Sequence, residues 1–183
     1  ERAGADEAAL ARAYLWRGDT LFGQMLRELH GAVGWLVADP RFRATHVGAF
    51  GISMGATLAA WLAGLDVRIA AVADLCCHAD LETLVASGAH ALHGPYMTVP
   101  GLLPAFRTGE IAGLAAPRPK LVRIGLDDPL TPAAAFEIAL ADMRAAYAAT
   151  PDRLDTRAAP GGHVETAAMR ADVLACFGTW LGG

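Results

Sequence analysis

The sequence predicts an α/β fold, in which helices flank a parallel β-sheet within a single domain of residues 1–183. Two observations lead to this prediction. Four short runs with strand character alternate with helical segments, and connections of this kind join parallel strands. Hydrophobic residues make up 54% of the chain and charged residues 19%, which is the balance of a well-buried globular domain.

Two helices are predicted before the first strand. The first covers residues 6–17, with Asp6 able to cap its start and Gly18 able to end it. The second covers residues 19–37, because its apolar residues recur at helical spacing and Pro40 follows its end. Nothing in this part of the sequence has strand character.

The first two strands enclose a helix of small residues. The first strand is predicted over residues 45–52 and ends at Ser53. The helix that follows reaches to about residue 63, with Gly64 in the place of a C-terminal glycine. Residues 68–75 then form the second strand, which we expect to be buried.

The second half of the chain begins with an irregular excursion over residues 78–116, which contains several turn signals. A third buried strand is predicted over residues 119–125, and a helix over residues 132–149 with Pro132 in its first turn. The remaining elements are a weaker strand over residues 153–158 and a last helix over residues 165–181. In such parallel sheets, ligands bind at the C-terminal ends of the strands.

Composition argues against several classes of partner. The net charge is −4 and no run of Lys or Arg forms a basic face, so no nucleic-acid partner is expected. No stretch approaches the roughly 20 apolar residues of a membrane-spanning helix. Cys76, Cys77 and Cys176 do not form a disulfide framework, and we expect buried free thiols. No cofactor or metal is predicted, because no metal-ligand spacing occurs.

The N-terminal residues resemble neither a signal peptide nor a translation start, since Glu1 takes the place of an initiator Met. We expect the chain to begin inside a longer gene product. The compartment is therefore not predicted, although the cytoplasm is favoured.

The stretch Gly51-Ile52-Ser53-Met54-Gly55 lies between the first strand and the helix after it. A Gly-x-Ser-x-Gly sequence in that context predicts a sharp turn that lifts the serine hydroxyl clear of the sheet as a nucleophile. It also places the amide of Met54 at a helix N-terminus, where it can donate to an oxyanion. A chance match is the alternative, and the flanking strand and helix argue against it.

A serine nucleophile needs a base, and His163 is the candidate because it lies in a glycine-flanked turn after the last strand. The acid is expected between the serine and the histidine in the chain. Asp127 and Asp128 both follow the third strand, and either could instead cap the helix. Asp74 and Asp80 are weaker candidates.

With these residues, the chain resembles the α/β-hydrolase superfamily, and within it the dienelactone-hydrolase-like and acetyl xylan esterase-like branch. The resemblance covers nearly the whole chain, in the segments 21–23, 51–55, 65–72, 93–96, 99–103 and 116–121. The acid turn of this family reads Gly-x-x-Asp followed by Pro, which Gly125 to Pro129 match with Asp128 as the acid. Gly161-Gly162-His163 matches the histidine turn.

The resemblance also implies an activity. Dienelactone hydrolases use cysteine as nucleophile, so Ser53 indicates ordinary ester hydrolysis of a small-molecule substrate through an acyl-enzyme. The family's sheet begins with further strands and a loop that supplies one oxyanion-hole amide. Only strands 5 to 8 of that sheet are recognisable here. We therefore expect an upstream segment or another chain to pair with the strand at residues 45–52.

Substrate contacts are expected from the excursion, although the same apolar residues could simply pack over the sheet. The candidates are His93, Tyr96, Met97, Leu102 and Leu103. Two alternatives to a serine esterase remain: a serine peptidase of the prolyl-oligopeptidase type, which has the same order of catalytic residues, and a non-catalytic fragment or subunit.

Overall fold

A computed structural model describes residues 2–182, with side chains from residue 6 onward. Its helices are α1 (Arg2–Trp16), α2 (Leu21–Ala38), α3 (Met54–Leu65), α4 (Leu81–Ser87), α5 (Thr108–Gly113), α6 (Ala133–Ala146) and α7 (Ala167–Leu181). Its strands are β1 (Val47–Ile52), β2 (Ile69–Leu75), β3 (Lys120–Gly125) and β4 (Leu154–Ala159). Short 3₁₀ turns lie at Ala89–Leu92, Pro95–Met97 and Pro151–Arg153.

The four strands form one parallel sheet in the order β1-β2-β3-β4, which confirms the predicted fold class. Successive residues of a strand point to opposite faces. In β2, Val72 packs with α2 and α3 on one face, whereas Leu75 packs with α7 on the other. The next strand repeats the pattern, with Val122 packed against α6 and Leu121 against α7. Both faces of the sheet are therefore covered.

Three residues that were predicted to cap or begin helices have different positions in the structure. Asp6 does not cap α1, because the helix already begins at Arg2. Gly64 does not end α3, which continues to Leu65. A Cβ at Gly64 would lie 3.1 Å from Cβ of Leu114, so this glycine allows close packing beside α5 instead. The first helical residue of α6 is Ala133, and Pro132 precedes it as the N-cap.

Both edges of the sheet are open within the described residues, where β1 pairs only with β2 and β4 only with β3. Phe50 in β1 is 47% exposed. The two elements that precede β1 are the helices α1 and α2. No helix in residues 2–182 combines the length and the apolar character that crossing a membrane requires.

Candidate active site

Ser53 occupies a strained turn between β1 and α3. Its φ of 56° and ψ of −122° lie where non-glycine residues are rare. Its N–H donates to the carbonyl of Leu75 at 2.9 Å, which fixes the turn to the end of the neighbouring strand. Met54 follows as the first residue of α3, so its N–H is one of the four that have no carbonyl partner within that helix.

The turn explains one of the two glycines in the motif. A Cβ on Gly51 would lie 2.1 Å from the carbonyl carbon of Gly55 and 2.4 Å from the nitrogen of Ala56, so the turn closes only with glycine there. A Cβ on Gly55 would meet nothing within 4 Å among the described residues. Among the described residues, crowding therefore requires glycine at position 51 and not at position 55.

His163 lies beside Asp128 at the same edge of the sheet. Nδ1 of His163 is 2.7 Å from Oδ2 of Asp128, and the aspartate side chain is fully buried. The other carboxylate oxygen accepts from the N–H of Leu130 at 2.9 Å. Because an ionised carboxylate only accepts hydrogen bonds, this pairing favours the tautomer with the proton on Nδ1. Nε2 is then free to accept a proton.

The neighbouring carboxylate, Asp127, has a different position. Its Oδ2 accepts from the N–H of Gly161 at 3.0 Å, and its own N–H donates to the carbonyl of Gly161 at 2.8 Å. Gly125 makes room for this contact, since a Cβ there would lie 2.2 Å from the Gly161 carbonyl oxygen. Asp127 thus joins the acid turn to the histidine turn, and only Asp128 contacts the imidazole.

Ser53 and His163 line one pocket with a cavity volume of about 50 Å³, called here the serine pocket. Four of the five predicted contact residues line it with them: His93, Tyr96, Met97 and Leu102. Leu103 does not, because it lines a neighbouring cavity over the excursion. Burial lowers the pKa of His93, and a hydrogen bond with the backbone of Leu130 offsets only part of this effect. Its Nε2 is buried without a hydrogen-bond partner.

Comparison with known proteins follows this geometry. No protein-family model matches the chain. "Putative hydrolase YtaP" of Bacillus subtilis (strain 168) is 32% identical over 183 residues, which is 99% of this chain and 61% of that protein. A glucuronoyl esterase structure from Solibacter usitatus superimposes with a TM-score of 0.69 at 17% identity, over 91% of this chain and 50% of that one.

A second solved structure is also similar. A "putative acetyl xylan esterase" from Bacteroides fragilis NCTC 9343 matches with a TM-score of 0.65 at 20% identity, over 84% of this chain and 40% of that one. The chain has the α/β-hydrolase fold. The predicted resemblance is confirmed at the level of the fold, and the chain spans only part of the length of the relatives it matches.

In this α/β-hydrolase fold, the two weaker acid candidates are engaged away from His163. Asp74 is fully buried and pairs with Lys120 and His78. Burial raises the pKa of Asp74, but the Lys120 charge and the His78 hydrogen bond outweigh burial and hold the pKa below its usual value. Asp80 caps α4, where its Oδ2 accepts from the N–H of Thr83 at 3.0 Å.

Several residues that were not predicted also line the serine pocket. Phe22 at the start of α2 and Trp61 in α3 stack edge to face with ring centroids 5.1 Å apart, and both line the pocket. Cys76 also lines it, directly after β2. A signal for Cys76 was present, because the residues that follow parallel strands gather at one edge of the sheet. No local pattern marked Phe22 or Trp61.

Proposed function

We propose that the chain carries the catalytic residues of a serine esterase, with Ser53 as nucleophile, His163 as base and Asp128 as acid. The observation that carries the proposal is the 2.7 Å hydrogen bond between His163 and the buried Asp128, at a pocket that Ser53 also lines. The order of the three residues along the chain agrees with this fold. The structural neighbours named as esterases support the reaction type.

The reaction has two acyl-transfer steps. Nε2 of His163 takes the proton of the Ser53 hydroxyl as the oxygen attacks the ester carbonyl. The tetrahedral intermediate collapses, the C–O bond to the alcohol breaks, and His163 returns the proton to the leaving alcohol. Water then attacks the acyl-enzyme with His163 again as base, which frees the acid and Ser53. Asp128 orients the imidazole and stabilises its protonated form.

The oxyanion of each intermediate needs donors at a helix N-terminus or loop. The N–H of Met54 supplies one, and the dipole of α3 adds to its effect. A second donor would come from the segment that pairs with the open edge of β1, either upstream in the same gene product or in another chain. Loss of one such donor lowers the rate by about 100- to 1,000-fold, so the completed sheet should be the faster enzyme.

The serine pocket favours a neutral ester. Among the described residues, none of its lining side chains is Asp, Glu, Lys or Arg. An aromatic wall is formed by Phe22, Trp61 and Tyr96. The ring centroid of Phe22 lies 5.1 Å from that of Trp61 and 6.3 Å from that of Tyr96. His93 offers its unpaired Nε2 to a polar group of the substrate. We infer a small acyl ester, with a sugar-linked alcohol suggested by the names of the neighbours.

A fluorophosphonate probe tests the nucleophile. Wild-type protein should form a covalent adduct that peptide mass spectrometry maps to Ser53, and Ser53→Ala should take no label. The matched control is Ser87→Ala, since Ser87 lies on α4 and its hydroxyl donates to the carbonyl of Thr83. No label in the wild type, with or without its upstream segment, would exclude the enzyme and leave a non-catalytic subunit.

Substrate profiling tests the reaction type. A panel of p-nitrophenyl esters and aminoacyl amides should show ester cleavage well above amide cleavage. Faster cleavage of the amides would replace the esterase with a serine peptidase of the prolyl-oligopeptidase type. A label on Ser53 without turnover of either class would show that this chain holds the site but needs its missing oxyanion donor.

A further inference from the structure

Cys76 is a buried thiol beside the catalytic residues that the esterase mechanism does not use. It is the first residue after β2, only 2% exposed, with a φ of 53°. Its Sγ lies 3.7 Å from the carbonyl oxygen of Val164, the residue after the catalytic histidine. The strained backbone therefore directs the thiol toward the Asp128–His163 pair.

The three side chains form a compact set of metal ligands. Sγ of Cys76, a carboxylate oxygen of Asp128 and a ring nitrogen of His163 all lie within 4.8 Å of one another. In a tetrahedral zinc site, ligands about 2.0–2.3 Å from the metal are about 3.3–3.8 Å apart. Shifts of about 1 Å would bring these three atoms to such positions.

We propose that Cys76, Asp128 and His163 bind one divalent cation of the zinc class. A sulfur, nitrogen and oxygen set suits zinc and excludes magnesium and calcium, which take oxygen ligands. Binding releases one proton to solvent, from the Cys76 thiol, while the imidazole of His163 changes tautomer and its proton moves from Nδ1 to Nε2. The thiolate and the carboxylate then balance the charge of the cation, which suits a buried site.

Occupancy would block the reaction, and this part of the inference rests on the proposed function. Coordination at Nδ1 places the single ring proton on Nε2, the nitrogen that must accept the Ser53 proton. The hydrogen bond from His163 to Asp128 is replaced as well. Zinc at this site is therefore an inhibitor, and removing it with a chelator should restore activity.

Binding is measured first, without reference to activity. Purified protein is stripped with a chelator and titrated with Co²⁺, whose thiolate charge-transfer band in the near ultraviolet reports a cysteine ligand. We expect one equivalent to bind with that band, and Zn²⁺ to displace it. X-ray absorption of the zinc-loaded wild type should show one sulfur at about 2.3 Å and nitrogen or oxygen at about 2.0–2.2 Å.

Two cysteine variants locate the site. Cys76→Ser should abolish the thiolate band and weaken zinc binding by at least about 100-fold. Even the loss of a residue that only hydrogen-bonds to a metal ligand can lower metal affinity by about 100-fold. Cys176→Ser is the control, because this half-buried thiol lies on α7 and is not in the cluster, and it should keep the band. If Cys76→Ser does not fold, X-ray absorption of zinc-loaded Cys176→Ser must still show one sulfur ligand, because Cys76 is the thiol that lies in the cluster of described residues.

The outcomes are distinct. No sulfur ligand in the zinc-loaded wild type, or a band that survives Cys76→Ser and disappears in Cys176→Ser, would overturn the site. Ester hydrolysis should stop in step with zinc occupancy and return with the chelator, and faster hydrolysis on zinc loading would overturn inhibition. A protein that binds zinc through Cys76 but never labels at Ser53 would refute the esterase and leave the metal site standing.

Discussion

The carboxylate of Asp128 is fully buried, and its Oδ2 lies 2.7 Å from Nδ1 of His163, whose side chain is 26% exposed. The carboxylate is thus held inside the protein, while the imidazole lines the serine pocket. Loop contacts fix both partners, since the N–H of Leu130 holds the second oxygen of Asp128. The pair sets the tautomer on which the proposed chemistry depends.

Asp128→Asn should lower kcat for a p-nitrophenyl ester by about 10⁴-fold, because an amide no longer selects the tautomer with a free Nε2. The affinity for substrate should change little, since the aspartate does not line the serine pocket. Steady-state kinetics and the rate of fluorophosphonate labelling measure both effects.

The matched control is Asp127→Asn, which keeps the imidazole contact and weakens only the contact with the Gly161 N–H. Its loss should stay within about 10-fold, the effect of one hydrogen bond worth about 1 kcal/mol. An Asp127→Asn variant as impaired as Asp128→Asn would contradict the assignment of the acid.

Gly51→Ala should prevent the turn at Ser53 from forming. The new methyl group would lie 2.1 Å from the Gly55 carbonyl carbon, and backbone atoms cannot move away as a flexible side chain would. We expect a loss of stability of at least about 2–3 kcal/mol, as in other severe overpacking, together with loss of labelling. Urea denaturation followed by circular dichroism gives the free energy of unfolding.

Gly55→Ala is its control within the same motif. The added Cβ meets nothing within 4 Å among the described residues, and the position lies in the first turn of α3. Alanine should leave stability unchanged or raise it by up to about 1 kcal/mol. Equal destabilisation by both variants would show that crowding at Gly51 is not the cause.

Lys120 and Asp74 form an ion pair in which both side chains are fully buried. Lys120→Met leaves the carboxylate with only His78 as partner, and Oδ1 of Asp74 already has no hydrogen bond. The variant should lose about 3–5 kcal/mol of stability, because an unpaired buried charge is costly. Urea denaturation at neutral pH measures the loss.

A double-mutant cycle separates this charge effect from lost packing. Asp74→Asn combined with Lys120→Met removes both charges, and it should be more stable than the sum of the single losses by at least about 1 kcal/mol. Additive losses would mean that the two side chains contribute independently. The buried pair would then have no role in holding β2 against β3.

The sequence predicted those parts of the fold that local patterns encode. The four strands and the turn at Ser53 follow from apolar runs and glycines. The choice between Asp127 and Asp128 needed the family resemblance, because adjacent carboxylates differ only in the direction of their side chains. The structure separates them by their partners, Gly161 and His163.

Other features depend on contacts between distant segments. Lys120 opens β3 and would pass for a surface residue, but Asp74 on the neighbouring strand pairs with it in the interior. Phe22 joins the serine pocket only because α2 packs on α3, which brings its ring against Trp61. Leu103 lies one residue beyond Leu102, and the turn at this point directs it into a different cavity.

Tyr147 should make the protein less stable in alkali. Its hydroxyl donates to the carbonyl of Arg118 at 2.7 Å, and its ring is 1% exposed. Burial raises the pKa of Tyr147 above the ordinary value of 10.0, against the nearby Arg118 charge. As the pH rises, the unfolded chain therefore loses this proton before the folded protein does. The stabilisation is complete below about pH 10 and declines as the pH rises toward the folded-state pKa.

Tyr147→Phe should cost about 1 kcal/mol at neutral pH through the lost hydrogen bond, and it should flatten the decline of stability with pH. Urea midpoints at about pH 8 and pH 11 measure both effects, with Tyr14→Phe on α1 as the control. An equally steep decline in Tyr147→Phe would assign the alkaline sensitivity to other groups.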